Sequence, residues 1–227
     1  VIDIDDPDTW PPDIATWATA AAERLRGSTV CTADLDAPGG LQPLLSGHKV
    51  LAFHCTRLLD FEVDVLREQG LRPLTPELVG ERIERAHAHG ALSDASCEAM
   101  NVFAVRNQAF RENRVFLVLG RTAHFDEDPF GVEPLLSAWG GEAIRGSAQD
   151  FYTLAIGRPS IVVVQIEAGR FSTTRPTLAA LLVATILGMD DRGTDVTLCR
   201  GVPPEDIIAV WQPGNPEYDR HTTLPRE

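Results

Sequence analysis

His54, Thr56 and Arg57 stand where an apolar run, Val50-Leu51-Ala52-Phe53, gives way to polar groups, and two candidate acids, Glu142 and Asp195, lie far along the chain. Strand alternation sends His54 and Thr56 to one face and Cys55 and Arg57 to the other. An imidazole and a hydroxyl on one face can hold the hydroxyls or the amide of a small ligand. The same residues also fit a plainer arrangement, in which a half-buried histidine bonds to backbone and Arg57 pairs with Asp60 or Glu62.

The acids come from two contexts. Val132, Leu135, Leu136 and Trp139 make a helical stripe that Gly140-Gly141 would break, presenting Glu142 just beyond it. A carboxylate beside an indole and bare backbone suits a cationic or hydroxylated group; the alternative is a helix end followed by a surface acid. Asp195 begins the run Val196-Thr197-Leu198, where a sheet could aim it into a cleft or leave it as a solvated loop acid. His124-Phe125-Asp126-Glu127-Asp128 has metal-binding residue types, but adjacent loop residues diverge and a metal needs convergent ligands, so no metal is expected. Ser137, Ser160 and Ser172 lack the glycine-flanked setting of a hydrolase nucleophile. Cys55 and His54, being strand neighbours, do not form a dyad.

The elements that must position these groups are legible as patterns. Val1 to Pro11 reads as an acidic, loosely held arm, residues 12–27 as an amphipathic helix, and residues 48–212 as the core of a single domain spanning 1–227. The strand ending at His54 is followed by a helix capped by Asp60 and stopped by Gly70, then by one opened by Thr75-Pro76-Glu77 and one opened by Ser93. His87 and His89 should face solvent. Val115 to Leu119, Ile161 to Ile166, Val196 to Cys199 and Ile207 to Trp211 read as strands, with Ile161 to Ile166 central, and Leu178 to Met189 as a core helix. The irregular order of elements disfavours a doubly wound nucleotide fold, and no phosphate-binding glycine loop is present.

Composition narrows the partners. A formal net charge of −13 with no Lys/Arg cluster argues against direct nucleic-acid binding, although a local basic pocket around Arg57, Arg121 or Arg145 can still take one small anionic ligand. No apolar run is long enough to span a bilayer, so no membrane partner is expected. Cys31, Cys55, Cys97 and Cys199 are widely spaced, without a zinc or disulfide pattern, which suits the cytoplasm.

Phe53-His54-Cys55-Thr56, a helix, then Gly70-Leu71-Arg72-Pro73-Leu74 resembles the opening of ADP-ribosyltransferase-like domains. Asp195-Val196-Thr197-Leu198 with Val202-Pro203-Pro204-Glu205-Asp206-Ile207 resembles their closing strand, turn and final strand. His54-Cys55-Thr56-Arg57-Leu58 together with Trp139-Gly140-Gly141-Glu142-Ala143 is similar to uncharacterised bacterial proteins that carry both motifs. The wider resemblance implies an α+β fold, a mixed, partly antiparallel split sheet with flanking helices around a cleft for NAD, which is substrate rather than resident cofactor. It implies cleavage of the nicotinamide–ribose bond, with transfer to a protein, a small molecule or water. His54 would then orient ribose, the Cys55-Thr56 backbone would bind the nicotinamide amide, Arg57 would join the dinucleotide site, and Trp139 would wall the cleft. Glu142 or Asp195 would stabilise the ribosyl cation, with Glu142 preferred. Cys55 replaces the glycine expected after the histidine, and Asp195 is one methylene shorter than the usual glutamate. The alternatives are a non-catalytic interaction domain on the same fold, half of a toxin, defence or regulatory pair, and a sugar- or nucleotide-binding hydrolase.

Overall fold

The computed structural model describes residues 1–26, 40–104, 111–122, 125, 132–137, 139, 156–173, 177–189 and 193–222. Among them six strands form one antiparallel sheet: β1 (Lys49–Leu58), β2 (Val115–Leu119), β3 (Arg158–Glu167), β4 (Ser172–Thr173), β5 (Thr194–Leu198) and β6 (Ile207–Trp211). Their spatial order is β4-β5-β2-β1-β3-β6. The flanking helices are α1 (Pro12–Arg26), α2 (Asp60–Gln69), α3 (Pro76–Ala88), α4 (Asp94–Ala104), α5 (Glu133–Leu136), α6 (Leu178–Leu187) and α7 (Pro216–Thr222).

Alternation along the strands divides the core. Val50 and Ala52 of β1, with Val162, Val164 and Ile166 of β3, pack beneath Ile14, Ala18 and Ala21 of α1 and Leu178, Leu181 and Leu182 of α6. Phe53, Ile161 and Val163 face the other way, onto Phe125, Val132, Leu136 and Tyr218. A third cluster joins Val79, Ile83 and Ala86 of α3 to Leu92, Met100 and Trp139. β3 is thus buried on both faces, as its β-branched run predicts. It is nevertheless second from the sheet edge, because β6 is its outer neighbour and β1 and β2 take the centre.

Helix boundaries follow local chemistry. Thr75 caps α3, its Oγ1 accepting the Leu78 N–H at 3.1 Å, as the sequence predicts. Ser93 does the same for α4 through the Ser96 N–H at 3.2 Å. The cap of α2 is Leu59 rather than the expected Asp60: Glu62, in the first turn, reaches back so that its Oε2 accepts the Leu59 N–H at 2.8 Å.

Two further expectations change. β1 continues four residues beyond His54 to Leu58, so the site residues lie within a strand rather than at its tip. The N-terminal arm is docked: Ile2 bridges Val50 in parallel, and Ile2, Ile4 and Trp10 are buried. Asp3 and Asp5 between them hold Arg121, which donates to Asp3 from its guanidinium at 2.6 Å and to Asp5 from its backbone N–H at 2.7 Å. Alternation of isoleucine with aspartate gives the arm a buried face. Gly27, the expected end of the first helix, lies outside the described residues.

The sheet pairs unequally about its centre. β1 runs in register with β3 along its whole length, from Lys49↔Glu167 to Leu58↔Arg158. On its other side, among the described residues, it pairs with β2 only at Phe53↔Val118. Beyond that point the two strands part, and the gap opens toward α2 and α3. The chain after β5 returns to close this end, where Leu71 and Val202 exchange backbone hydrogen bonds of 2.8 Å each.

Gly70 ends α2 with φ of 75°, and a Cβ there would lie 2.0 Å from the Val202 carbonyl oxygen. Gly70→Ala should therefore destabilise the fold by at least about 2 kcal/mol. Gly80, inside α3, has open space where a methyl group would stand, with nothing within 4 Å of it, so Gly80→Ala should stabilise by roughly 0.5–1 kcal/mol. Urea denaturation midpoints of the two variants should move in opposite directions.

Candidate functional site

The parting of β1 from β2 leaves a cleft of about 460 Å³, a volume suited to a small-molecule site. His54, Cys55 and Thr56 of β1 and Asp195 of β5 line it. Phe53, Val118 and Asp195 form one row across β1, β2 and β5, which places the Asp195 backbone about 10 Å from β1 by ordinary strand spacing. β2 lies between them in that row, and alternation turns the His54 and Asp195 side chains to opposite faces of the sheet, so what they share is the border of the cleft where β1 and β2 part.

His54 is held by the strand it has lost as a ladder partner. Its Nδ1 lies 2.9 Å from the Phe116 carbonyl oxygen, which can only accept, so Nδ1 carries the proton and Nε2 keeps a lone pair. Burial pushes the imidazole pKa below its ordinary value; the Phe116 bond opposes this, and the charge of Arg82 adds to it. The ring is therefore neutral at physiological pH. This satisfies the plainer expectation of a backbone-bonded histidine and also leaves Nε2 as an acceptor in a residue that borders the cleft.

The other predicted residues divide. Thr56 is buried, and its neighbour Cys55 has its thiol pushed well up by burial, which keeps it protonated and a poor nucleophile. Arg57 is not among the residues lining the cleft. Its guanidinium donates to the carbonyls of Ile156 at 3.0 Å, Leu136 at 3.2 Å and Gly157 at 2.7 Å, tying three backbone positions to β1 instead of pairing with Asp60 or Glu62. Trp139 is also buried behind the cleft wall, with only 1% of its surface exposed. Asp195 is exposed on β5, within a strand rather than a loop. Glu142 and Arg145 lie outside the described residues, as do His124 and residues 126–128. Among the described residues no group of three His, Cys, Asp or Glu side chains converges as a metal site. Nor is any described helix long and apolar enough to cross a membrane.

Sequence reasoning offered Glu62 only as a partner for Arg57 and missed its part as the organising acid of this region. Its Oε2 accepts both the Leu59 N–H and the Trp139 Nε1–H, each at 2.8 Å, while its Oε1 accepts from Arg82 Nε at 2.7 Å. The Arg82 guanidinium also lies over the Trp139 ring, 4.8 Å from its centroid. One carboxylate thereby joins the β1–α2 turn, α3 and the segment carrying Trp139. The available signal was an acid in the first turn of an amphipathic helix, which reads as ordinary capping.

A histidine pKa lowered by folding means that the unfolded chain binds more protons as pH falls through the ordinary value of 6.5, so stability contributed by neutral His54 is present above that pH and is lost below it. Melting temperature should fall on acidification from neutrality, and His54→Gln should flatten that slope before the carboxylates begin to titrate. Arg57→Lys, which keeps the charge but not the three-way donor fork, should cost about 2 kcal/mol in denaturant unfolding. Comparison with protein-family models, curated proteins and solved structures finds no match, which leaves the geometry of the cleft to speak for the chain's chemistry.

Proposed function

We propose that the cleft binds NAD and cleaves it at the nicotinamide–ribose bond, passing ADP-ribose to a protein, a small molecule or water on an ADP-ribosyltransferase-like fold. The observation that carries this reading is that His54 and Asp195, from strands on either side of the parting, line one cavity. Nε2 of neutral His54 can accept a hydrogen bond from a ribose hydroxyl. As the glycosidic C–N bond breaks, its electron pair leaves with nicotinamide and the ribose ring takes on oxocarbenium character. A fixed carboxylate from Asp195 stabilises that developing charge. The acceptor's hydroxyl or water then bonds to C1′ and gives its proton to solvent or a base. Glu142 remains a second candidate for the same role on the strength of its sequence context.

Incubation with NAD and chromatographic detection of nicotinamide tests the reading. Wild-type protein should release nicotinamide, and Asp195→Ala or Glu142→Ala should lower the rate by about 100-fold or more, whichever acid is functional. His54→Ala should raise KM for NAD as well as slow turnover. A folded protein that releases no nicotinamide and takes up no NAD by calorimetry would overturn the proposal and leave a non-catalytic interaction domain.

A further inference from the structure

The cleft reverses the charge of the molecule that contains it. The chain carries 33 acidic against 20 basic residues, yet among the described residues five arginines line this cavity, Arg72, Arg82, Arg85, Arg111 and Arg114, against three carboxylates. Glu81 pairs with Arg72 at 2.7 Å, and Glu62 with Arg82 at 2.7 Å. Arg111 lies over the Phe116 ring, 5.1 Å from its centroid, on the same strand whose carbonyl holds His54. The arginines come from the segment after α2, from α3 and from the approach to β2, so folding gathers them onto one wall.

Arg82 is the most constrained of them. Its Nε is fixed by Glu62 and its plane by Trp139, and its Nη2 is buried without a hydrogen-bond partner among the described residues. That Nη2 has no open surface and is not the contact; a guanidinium fixed through Nε and stacked on an indole instead holds its positive charge at the cleft wall through the quarter of the side chain that stays exposed, where an anionic oxygen can meet it. Arg85 follows three residues later on α3, a spacing that puts neighbouring side chains on one side of a helix.

We propose that this wall is a subsite for the diphosphate of a nucleotide-class small molecule, with Arg82 as its anchor and Glu62 as the residue that positions Arg82. It rests on the cleft being the NAD site, and it adds the group by which that ligand is held. A diphosphate is favoured over a single carboxylate because several arginines line one cavity and an anion with more than one charge can engage more than one of them.

Calorimetric titration with inorganic pyrophosphate, and with acetate as a single-carboxylate control, tests the subsite without any turnover. Wild-type protein should bind pyrophosphate saturably and much more tightly than acetate. Arg82→Lys should weaken binding by about 10-fold or more, and the double substitution Arg85→Ala with Arg114→Ala, both at exposed positions, should weaken it with an unchanged melting temperature. Absence of saturable pyrophosphate binding, or binding that neither variant alters, would overturn the subsite. Nicotinamide release read separately distinguishes the two proposals. Pyrophosphate binding without release removes the glycosidic chemistry and keeps the subsite, whereas release with a KM for NAD that neither variant moves removes the subsite and keeps the chemistry.

Discussion

A single hydrogen bond replaces what would otherwise be continuous sheet: the imidazole of His54 donates to the Phe116 carbonyl where β1 and β2 have ceased to pair. A strand centre cannot leave backbone carbonyls bare in a buried setting without loss of stability, so parting two strands requires a substitute donor. His54 supplies it from a side chain long enough to bridge the widening gap. The full-length pairing of β1 with β3 keeps β1 straight while β2 departs. The cleft is thus a consequence of asymmetry about one strand, and the residue that satisfies the opened edge also borders the cavity.

Glu62 carries this asymmetry outward to the helices. A carboxylate that receives a backbone N–H, an indole N–H and a guanidinium is nearly saturated, and each partner comes from a different part of the chain. Such networks contribute most when every member is satisfied, because the low local dielectric strengthens each bond and penalises each omission. Arg57 has a comparable role from within β1, joining three carbonyls of sequence-distant backbone. The two ionic side chains brace the end of β1, one through α2, α3 and Trp139, the other through Leu136, Ile156 and Gly157.

Elements whose signals are local were legible in the sequence. Thr75-Pro76-Glu77 set the start of α3, and β6 spans the predicted Ile207 to Trp211. Features that depend on distant partners were not. His54, Thr56 and Arg57 looked like the end of a strand because polar residues seldom continue one, yet each finds its partner or its burial inside the fold. The N-terminal arm looked solvated because aspartates dominate it, although Ile2 and Ile4 already alternate with them. Asp195 could be read as an acid aimed into a cleft or as a solvated loop acid; it is exposed on a strand at the border of the cleft. The arginine wall could not be foreseen, since residues 72, 82, 85, 111 and 114 are dispersed in a chain with an acidic total. Only the three-residue spacing of Arg82 and Arg85 hinted that two share a helix face.

A chain with a net charge of −13 around an arginine-lined hollow would act as an electrostatic sieve. A long polyanion approaching the opening meets repulsion from the whole outer surface, summed over many charges. A small anion already inside lies within a screening length of about 8 Å of the guanidinium groups and is governed by them. On the proposed reading of the cleft, the chain would repel a long nucleic acid while holding a compact phosphorylated molecule, and moderate salt would weaken the repulsion more than the capture.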